Sequence, residues 1–135
     1  MNATHEKEIV LQTHNNIGII AELATLLADR GLSISAVNGH QCGEDCVIRL
    51  IVDDSLRAKD VLTDHNYAPE ERDVILCRLP HKPGMLMKVT KYLAEEGIDM
   101  QHIYVTALEE NPDCGMVIST VDDGHAMLKL NTMRL

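Results

Sequence analysis

The sequence predicts an α+β protein built of two similar units, each with the element order βαββαβ and with both helices on one face of an antiparallel sheet. Two observations support this class. The chain repeats itself, because aligning Gly18 with Gly84 also aligns Gly31 with Gly97 and matches the apolar pattern around them. Each copy also alternates short β-branched segments with helical apolar stripes in the same order. The predicted units are residues 1–70 and 71–135.

Each copy is predicted to begin with a strand and an amphipathic helix. The first segment is rich in apolar and β-branched residues, and the second carries apolar residues at helical spacing. Gly31 and Gly97 follow these helices, where a glycine in the left-handed conformation ends a helix. The predicted strand and helix are Ile9–Thr13 and Ile19–Arg30 in the first copy, and Val74–Leu79 and Met85–Glu96 in the second.

A hairpin of two strands and a second helix follow in each copy. Paired aspartates precede both second helices and are expected to cap them. Val52-Asp53-Asp54 is aligned with Val121-Asp122-Asp123, so the second hairpin loop, "LEENPDCG", is expected to hold three extra residues. The predicted strands and helices are Leu32–Cys42, Val47–Val52 and Leu56–Thr63, then Ile98–Leu108, Met116–Val121 and His125–Leu130.

Alternation in the third strands predicts which face meets the helices. The residues assigned to the helix side are Ile48, Leu50 and Val52 in the first copy, and Val117, Ser119 and Val121 in the second. The opposite face is half apolar, so we expect the two copies, or two chains, to pack together. A fourth strand is predicted within "HNYAPEERD", and its counterpart in the second copy is either "NTMRL" or absent.

Composition excludes several classes of function. The net charge is −9, no Lys/Arg cluster offsets it, and the chain has no Phe or Trp to stack on bases, so nucleic-acid binding is not expected. The polar start and the absence of a long apolar run predict neither an export signal nor a membrane span. We therefore expect a cytoplasmic protein, with its four irregularly spaced cysteines reduced.

The two glycine loops are the strongest candidates for a binding site. A glycine loop at the start of a helix leaves backbone N–H groups unpaired beside the positive end of the helix dipole. This arrangement suits a carboxylate, and Gly18 and Gly84 allow a ligand to approach the backbone closely. An amino acid would also need acceptors for its ammonium group, for which Asn15 and His81 stand at equivalent positions.

The segment "LPHKPGMLMKVTKYLAEEGIDMQHI" resembles the opening of an ACT domain. In that pattern Pro-Gly precedes an amphipathic helix, and Gly-Ile-Asn or Gly-Ile-Asp and then a strand follow the helix. The segment "THNNIGIIAELATLLADRGLSISAV" is similar, with Ile17 in place of the proline and Asn15 where His81 stands in the second copy. The whole chain therefore resembles the small stand-alone tandem ACT proteins.

This resemblance implies two ferredoxin-like units that bind a small molecule, usually an amino acid, at interfaces between ACT units. It implies a non-catalytic, allosteric regulatory role, a homodimer, no cofactor, and a partner enzyme of amino-acid metabolism. The expected ligand-binding residues are the two loops, Asn15, Asn16, Ile17, Gly18 and Ile19, and His81, Lys82, Pro83, Gly84, Met85 and Leu86, with the starts of the second strands, Ile34, Ser35, Met100 and Gln101, as a further wall.

Two other functions remain open at this point. One is a regulatory subunit that binds a metabolic enzyme while its loops are purely structural. The other is an enzyme or metal protein, for which His40, Cys42 and Cys46 are the candidate ligands. These three lack the paired spacing typical of zinc sites, so buried or edge thiols with a surface histidine are the favoured interpretation. Catalysis is not expected, because no histidine stands in a recognisable nucleophile motif.

Overall fold

The computed structural model describes residues 1–134, and the chain divides into two compact units. The first unit is Lys7–Arg72, and the second unit combines Met1–Glu6 with the chain from Asp73 onward. This division differs from the expected boundaries chiefly in the first six residues, which pack with the second unit.

The element order confirms the predicted α+β class. Within the first unit the strand order is β2-β3-β1, within the second it is β4-β6-β5, and the pairs in each are antiparallel. The elements are β1 (Asn2–His14), α1 (Ile19–Ala28), β2 (Ile34–Cys42), β3 (Asp45–Val52), α2 (Ser55–Asp64), β4 (Glu70–Pro80), α3 (Met85–Glu95), β5 (Met100–Ala107), β6 (Asp113–Thr120) and α4 (Asp123–Thr132).

Each unit buries one face of its sheet under its two helices. In the first unit, Leu27 of α1 and Leu62 of α2 are fully buried in one cluster with Ile9 and Leu50 of the sheet. Burying one such side chain stabilises the fold by about 1.5–3 kcal/mol, so the aliphatic residues supply a core without Phe or Trp. The second unit builds an equivalent cluster from β4, β6, α3 and α4.

The aspartates before the second helices act as the caps that the sequence predicted. The side chain of Asp54 accepts a hydrogen bond from the amide of Arg57 at 3.1 Å, and that of Asp122 accepts one from the amide of His125 at 3.0 Å. Asp54 is therefore equivalent to Asp122, and not to Asp123 as the sequence alignment expected.

The register of the third strands needs the same correction. Ile9 pairs with Leu50, and its counterpart Ile75 pairs with Ile118, so Leu50 is equivalent to Ile118 rather than to the expected Ser119. The longer hairpin loop therefore holds two extra residues, not three.

This correction exchanges the two faces of β6, because side chains alternate along a strand. The helix side of β6 carries Met116, Ile118 and Thr120, not the predicted Val117, Ser119 and Val121. The prediction for the third strand of the first unit is confirmed, since Ile48, Leu50 and Val52 all lie in its core.

The fourth strands lie partly where the sequence did not place them. The predicted fourth strand of the first copy corresponds to the start of β4, from Glu70. In the second unit, α4 continues through Thr132, so the described part of "NTMRL" forms no strand, and residue 135 lies outside the described residues. The strand Asn2–Glu6 instead packs in this unit, with Ala3 in its core.

Several residues on the sheet faces opposite the helices are buried. Val10 and Ile51 in the first unit, and Val74 and Val117 in the second, are all buried.

No helix within residues 1–134 is long and apolar enough to cross a membrane.

Asn131 joins the N-terminal strand to α4. The amide of Ala3 donates to Oδ1 of Asn131 at 3.0 Å, and Nδ2 of Asn131 donates to the carbonyl of Ala3 at 3.2 Å. Because Asn131→Ala removes both bonds, we expect the free energy of unfolding to fall by about 1 kcal/mol in urea titrations. Leu128→Ala, at an exposed position of the same helix, is the control. Equal stability of the two variants would contradict this attachment.

Candidate functional site

The two glycine loops have the same geometry in the two units. Gly18 and Gly84 stand immediately before α1 and α3 with φ angles of 85° and 89°, a left-handed conformation that favours glycine. The amide of Asn15 donates to the carbonyl of Glu44, and the amide of His81 donates to that of Pro112, both at 2.8 Å. Each loop is therefore fixed to the hairpin of its own unit.

The loops present backbone N–H groups at the start of a helix, as the sequence predicted. The amide of Ile19 is already used, since it donates to the carbonyl of Asn16 at 3.2 Å within the turn. The next two amides, of Ile20 and Ala21, belong to the first turn of α1 and have no acceptor within the helix. Gly18 offers no side chain to cap them. These groups form the positive end of the α1 dipole.

A cavity of about 350 Å³ lies directly beside the loop of the first unit. This volume is at the lower end of the range of small-molecule sites. The lining combines apolar side chains with a few polar groups, and none of its residues carries a carboxylate, an ammonium or a guanidinium group. The lining residues are Asn15, Ile19, Ile20, Val37, Gly39, His40, Gln41, Cys46 and Ile48.

Strand β2 forms one wall of this cavity through alternate residues. Val37, Gly39 and Gln41 share the face that meets the helices, since their cross-strand partners in β3 are the buried Leu50, Ile48 and Cys46. A Cβ atom on Gly39 would lie 3.8 Å from Cδ1 of Ile20 and 3.8 Å from Cγ1 of Ile48. The missing side chain of Gly39 therefore leaves space between α1 and β3.

Only part of the predicted site of the first unit comes together. Asn15 and Ile19 line the cavity, while Ile17 is fully exposed on the loop and Asn16 and Gly18 complete the turn. Ile34 and Ser35 are not part of this wall, because β2 begins at the end of the sheet remote from the hairpin that holds the loop. The sequence missed the wall formed by Val37–Gln41. Gly39 inside a predicted strand was the signal for it, since a strand glycine often marks a close approach.

The second unit repeats the loop and not the cavity wall. Residues 81–86 form the same turn, in which the amide of Met85 donates to the carbonyl of Lys82 at 3.3 Å. Met100 and Gln101 again lie at the far end of their strand. Val105 pairs with Met116 as Gly39 pairs with Ile48, so a valine occupies the position of the cavity glycine.

A second cavity, of about 490 Å³, lies elsewhere in the second unit and includes none of the residues 81–86. Its polar lining includes Arg78 and Asp113, whose charged groups are 4.0 Å apart at the surface. Cys77 also lines it, and burial raises the pKa of this thiol to about 11, so the thiol stays protonated at neutral pH. Because none of the residues 81–86 lines it, this second cavity lacks the helix start that makes the first cavity suitable for a carboxylate.

The candidate metal ligands do not assemble. Among residues 1–134, no group of three His, Cys, Asp or Glu side chains is arranged to hold a metal ion. Cys42 is exposed at the end of β2, whereas Cys46 is buried in the core of the first unit. His102 and Tyr104, both on β5, contact each other edge to face with ring centres 5.8 Å apart.

A hydrogen bond connects Tyr67 to Glu22, a residue of the helix that begins at the candidate site. The hydroxyl of Tyr67 donates to Oε1 of Glu22, in the first turn of α1, at 2.7 Å. Burial raises the pKa of Tyr67 to about 12, and the hydrogen bond and negative charge of Glu22 act in the same direction. This bond fixes α1 to the segment that follows α2.

No protein-family model matches the chain, and no significant match is found among curated protein sequences. Solved structures do resemble it. Protein BT0572 from Bacteroides thetaiotaomicron is 27% identical, with a TM-score of 0.88 over 97% of this chain and 90% of that one. The regulatory subunit of aspartate kinase from Thermus thermophilus is 16% identical, with a TM-score of 0.70 over 96% and 93% of the two chains. Its counterpart from Thermus flavus is 17% identical, with a TM-score of 0.69 over 95% and 90%.

These similarities extend over nearly the whole of both chains in each comparison. They confirm the fold implied by the sequence resemblance, two ferredoxin-like units in tandem. The chain has the fold of a tandem ACT domain protein.

The raised pKa of Tyr67 makes the stability of the protein depend on pH in the alkaline range. Unfolding returns the phenol to its usual pKa near 10, so the stabilising effect is complete below pH 10 and is lost as the pH rises towards 12. We expect the free energy of unfolding to decrease across this interval in urea titrations. Tyr67→Phe should flatten this decrease and remove the transition near pH 12 from the ultraviolet absorption titration. If the substitution removed a transition near pH 10 and left one near pH 12, this assignment would be wrong.

Proposed function

We propose that this chain is a non-catalytic regulatory protein that binds a free amino acid at the cavity of its first unit. The observation that carries this proposal is the position of the cavity, which opens beside both the start of α1 and the side chain of Asn15. A carboxylate requires donors and positive potential, while an ammonium group requires acceptors. The loop offers both within the reach of one small molecule.

Each part of an amino acid has a suitable partner in this site. The α-carboxylate accepts hydrogen bonds from the free amides of Ile20 and Ala21 at the positive end of the helix dipole. Asn15 supplies a carbonyl oxygen for the ammonium group without adding a charge that would repel it. The side chain of the ligand then occupies the apolar cavity.

The mouth of the cavity supports its location at an interface between two copies of the chain. Ile20 and Val37 are 44% and 49% exposed, and β2 is the outer strand of the first unit. Contact with a second chain would remove these apolar side chains from water and enclose a ligand between ACT units. A homodimer with the amino acid at this interface is therefore part of the proposal.

The resemblance to tandem ACT proteins supports the regulatory part of the proposal. Two of the solved structures with this fold are described as regulatory subunits of aspartate kinase. By analogy we propose that this protein acts in the cytoplasm and that its ligand controls a partner enzyme of amino-acid metabolism. This step rests on fold similarity and on the binding site together.

A second candidate is a subunit that binds such an enzyme without binding a free ligand. The observation that favours it is a set of exposed apolar side chains on α3, on β5 and just after it in the second unit, where no comparable cavity wall exists. These residues, which would be buried against the partner, are Leu86, Met87, Ile103, Val105 and Leu108. In that case the loops are structural and calorimetry with amino acids shows no heat of binding.

The glycine loop is tested by adding a methyl group at its left-handed position. A Cβ on Gly18 meets no atom within 4 Å, so Gly18→Ala acts through the backbone, by a strain of about 1–2 kcal/mol. We expect this strain to shift the amides of α1. The dissociation constant of the amino acid that binds the wild type should then rise at least tenfold, as measured by isothermal titration calorimetry. Gly84→Ala introduces the same strain in the second unit and is the matched control.

Two results would count against the proposed site. If Gly18→Ala and Gly84→Ala reduced affinity equally, binding would not depend on the first loop in particular. If none of the twenty amino acids bound the wild type at millimolar concentration, the ligand-binding function would be wrong and the second candidate would be favoured.

The proposed dimer is tested at the outer strand of the first unit. Val37→Asp would place two carboxylates in an apolar interface, so we expect the dimer dissociation constant to rise at least tenfold in sedimentation equilibrium. Leu56→Asp, at a position 69% exposed on α2 of the same unit, is the control and should leave association unchanged. A wild-type protein that sediments as a monomer at all concentrations would exclude the homodimer.

A further inference from the structure

The two units differ at Gly39, which lines the cavity of the first unit and is replaced by Val105 in the second. We infer that Gly39 makes the first unit the single amino-acid site of the chain and restricts the ligand to a neutral aliphatic side chain. This inference rests on the proposed function and adds to it the class of ligand and the unit that binds it.

The size of the site follows from the missing side chain of Gly39. A methyl group there would touch Cδ1 of Ile20 and Cγ1 of Ile48, each at 3.8 Å. The space between these two atoms and the strand therefore has room for about one methyl group at ordinary contact distance. A β-branched side chain would extend further into the same space and fill it. A ligand side chain and a valine at position 39 thus compete for one volume.

The chemistry of the lining selects an apolar side chain. Ile19, Cys46 and Ile48 are buried, and they form the deepest part of the wall. The polar groups, from Asn15, His40 and Gln41, include no carboxylate and no Lys or Arg side chain. A charged ligand side chain would lose its hydration without finding an opposite charge, which weakens binding, whereas an aliphatic side chain binds more tightly with each CH₂ group that it buries.

The second unit has the opposite arrangement at the equivalent place. Val105 replaces Gly39, and its partner Met116 replaces Ile48. The valine adds side-chain volume where Gly39 has none, while Met116 has about the volume of Ile48, and the loop turn and its glycine are retained. The second loop thus keeps the geometry of the strand-to-helix turn, and Val105 stands at the position that is a glycine beside the first loop.

The experiment uses the full-length protein and a panel of defined probes in isothermal titration calorimetry. The neutral probes are L-alanine, L-valine, L-leucine and L-isoleucine, and the charged probes are L-aspartate and L-lysine. We expect at least one branched aliphatic amino acid to bind at one site per chain, and the charged probes to bind at least 100-fold more weakly. Gly39→Val should reduce the affinity for that aliphatic ligand at least 100-fold.

Matched variants separate the filling of the cavity from loss of folding. Gly39→Ala adds only the methyl group that the structure accommodates, so it should fold as the wild type and weaken L-leucine more than L-alanine. Val105→Gly removes the equivalent side chain in the second unit and should leave the aliphatic site of the first unit unchanged. Circular dichroism of each variant checks the fold. Because β-branched residues are well accepted in strands, Gly39→Val should also fold.

The outcomes distinguish failure of this inference from failure of the proposed function. If an amino acid binds but Gly39→Val and Gly39→Ala leave its affinity unchanged, the proposed function stands and the role of Gly39 is wrong. If a charged probe binds more tightly than every aliphatic one, or if two ligands bind per chain, the inference is likewise overturned. If no amino acid binds the wild type, the proposed function fails and the inference fails with it.

Discussion

The register between the first and third strands of each unit is the constraint on which the rest of the structure depends. Pairing Ile9 with Leu50 and Ile75 with Ile118 turns one face of each sheet towards its helices. A slip of one residue would move every core side chain of that strand to the opposite face. The same register brings the hairpin end of the second strand beside the glycine loop. The core and the candidate site are therefore fixed together.

Much of this arrangement could be predicted from the sequence, because the duplication doubles each signal. The loop glycines, the helix-ending glycines and the capping aspartates all recur, and each has a local physical reason that does not depend on distant residues. The register of β6 could not be read in the same way. Val117 on one face and Met116 and Ile118 on the other are all buried, so alternation does not identify the helix side.

The N-terminal strand was beyond prediction for a related reason. Along Asn2–Glu6 only Ala3 is buried, and the surrounding residues are polar, so neither β-branched content nor alternation distinguishes the segment from a polar tail. Its position depends on hydrogen bonds between its backbone and the side chain of Asn131, which is far away in the sequence. The wall of the candidate site has the same origin. The sequence located the loop at Asn15–Ile19, but only the pairing of β2 with β3 shows which end of the strand meets it.

The comparison of the two copies separates what the fold requires from what a site requires. Gly18 and Gly84 have the same φ angle within a few degrees, and both precede a helix in a turn held to the neighbouring hairpin. Their retention in both units is explained by the turn alone, so it is not evidence of binding. Gly39 has no such backbone requirement, because it lies in a strand where other residues are accepted and where the second unit has Val105. A glycine that the backbone does not need and that lines a cavity is the more specific indication of a ligand.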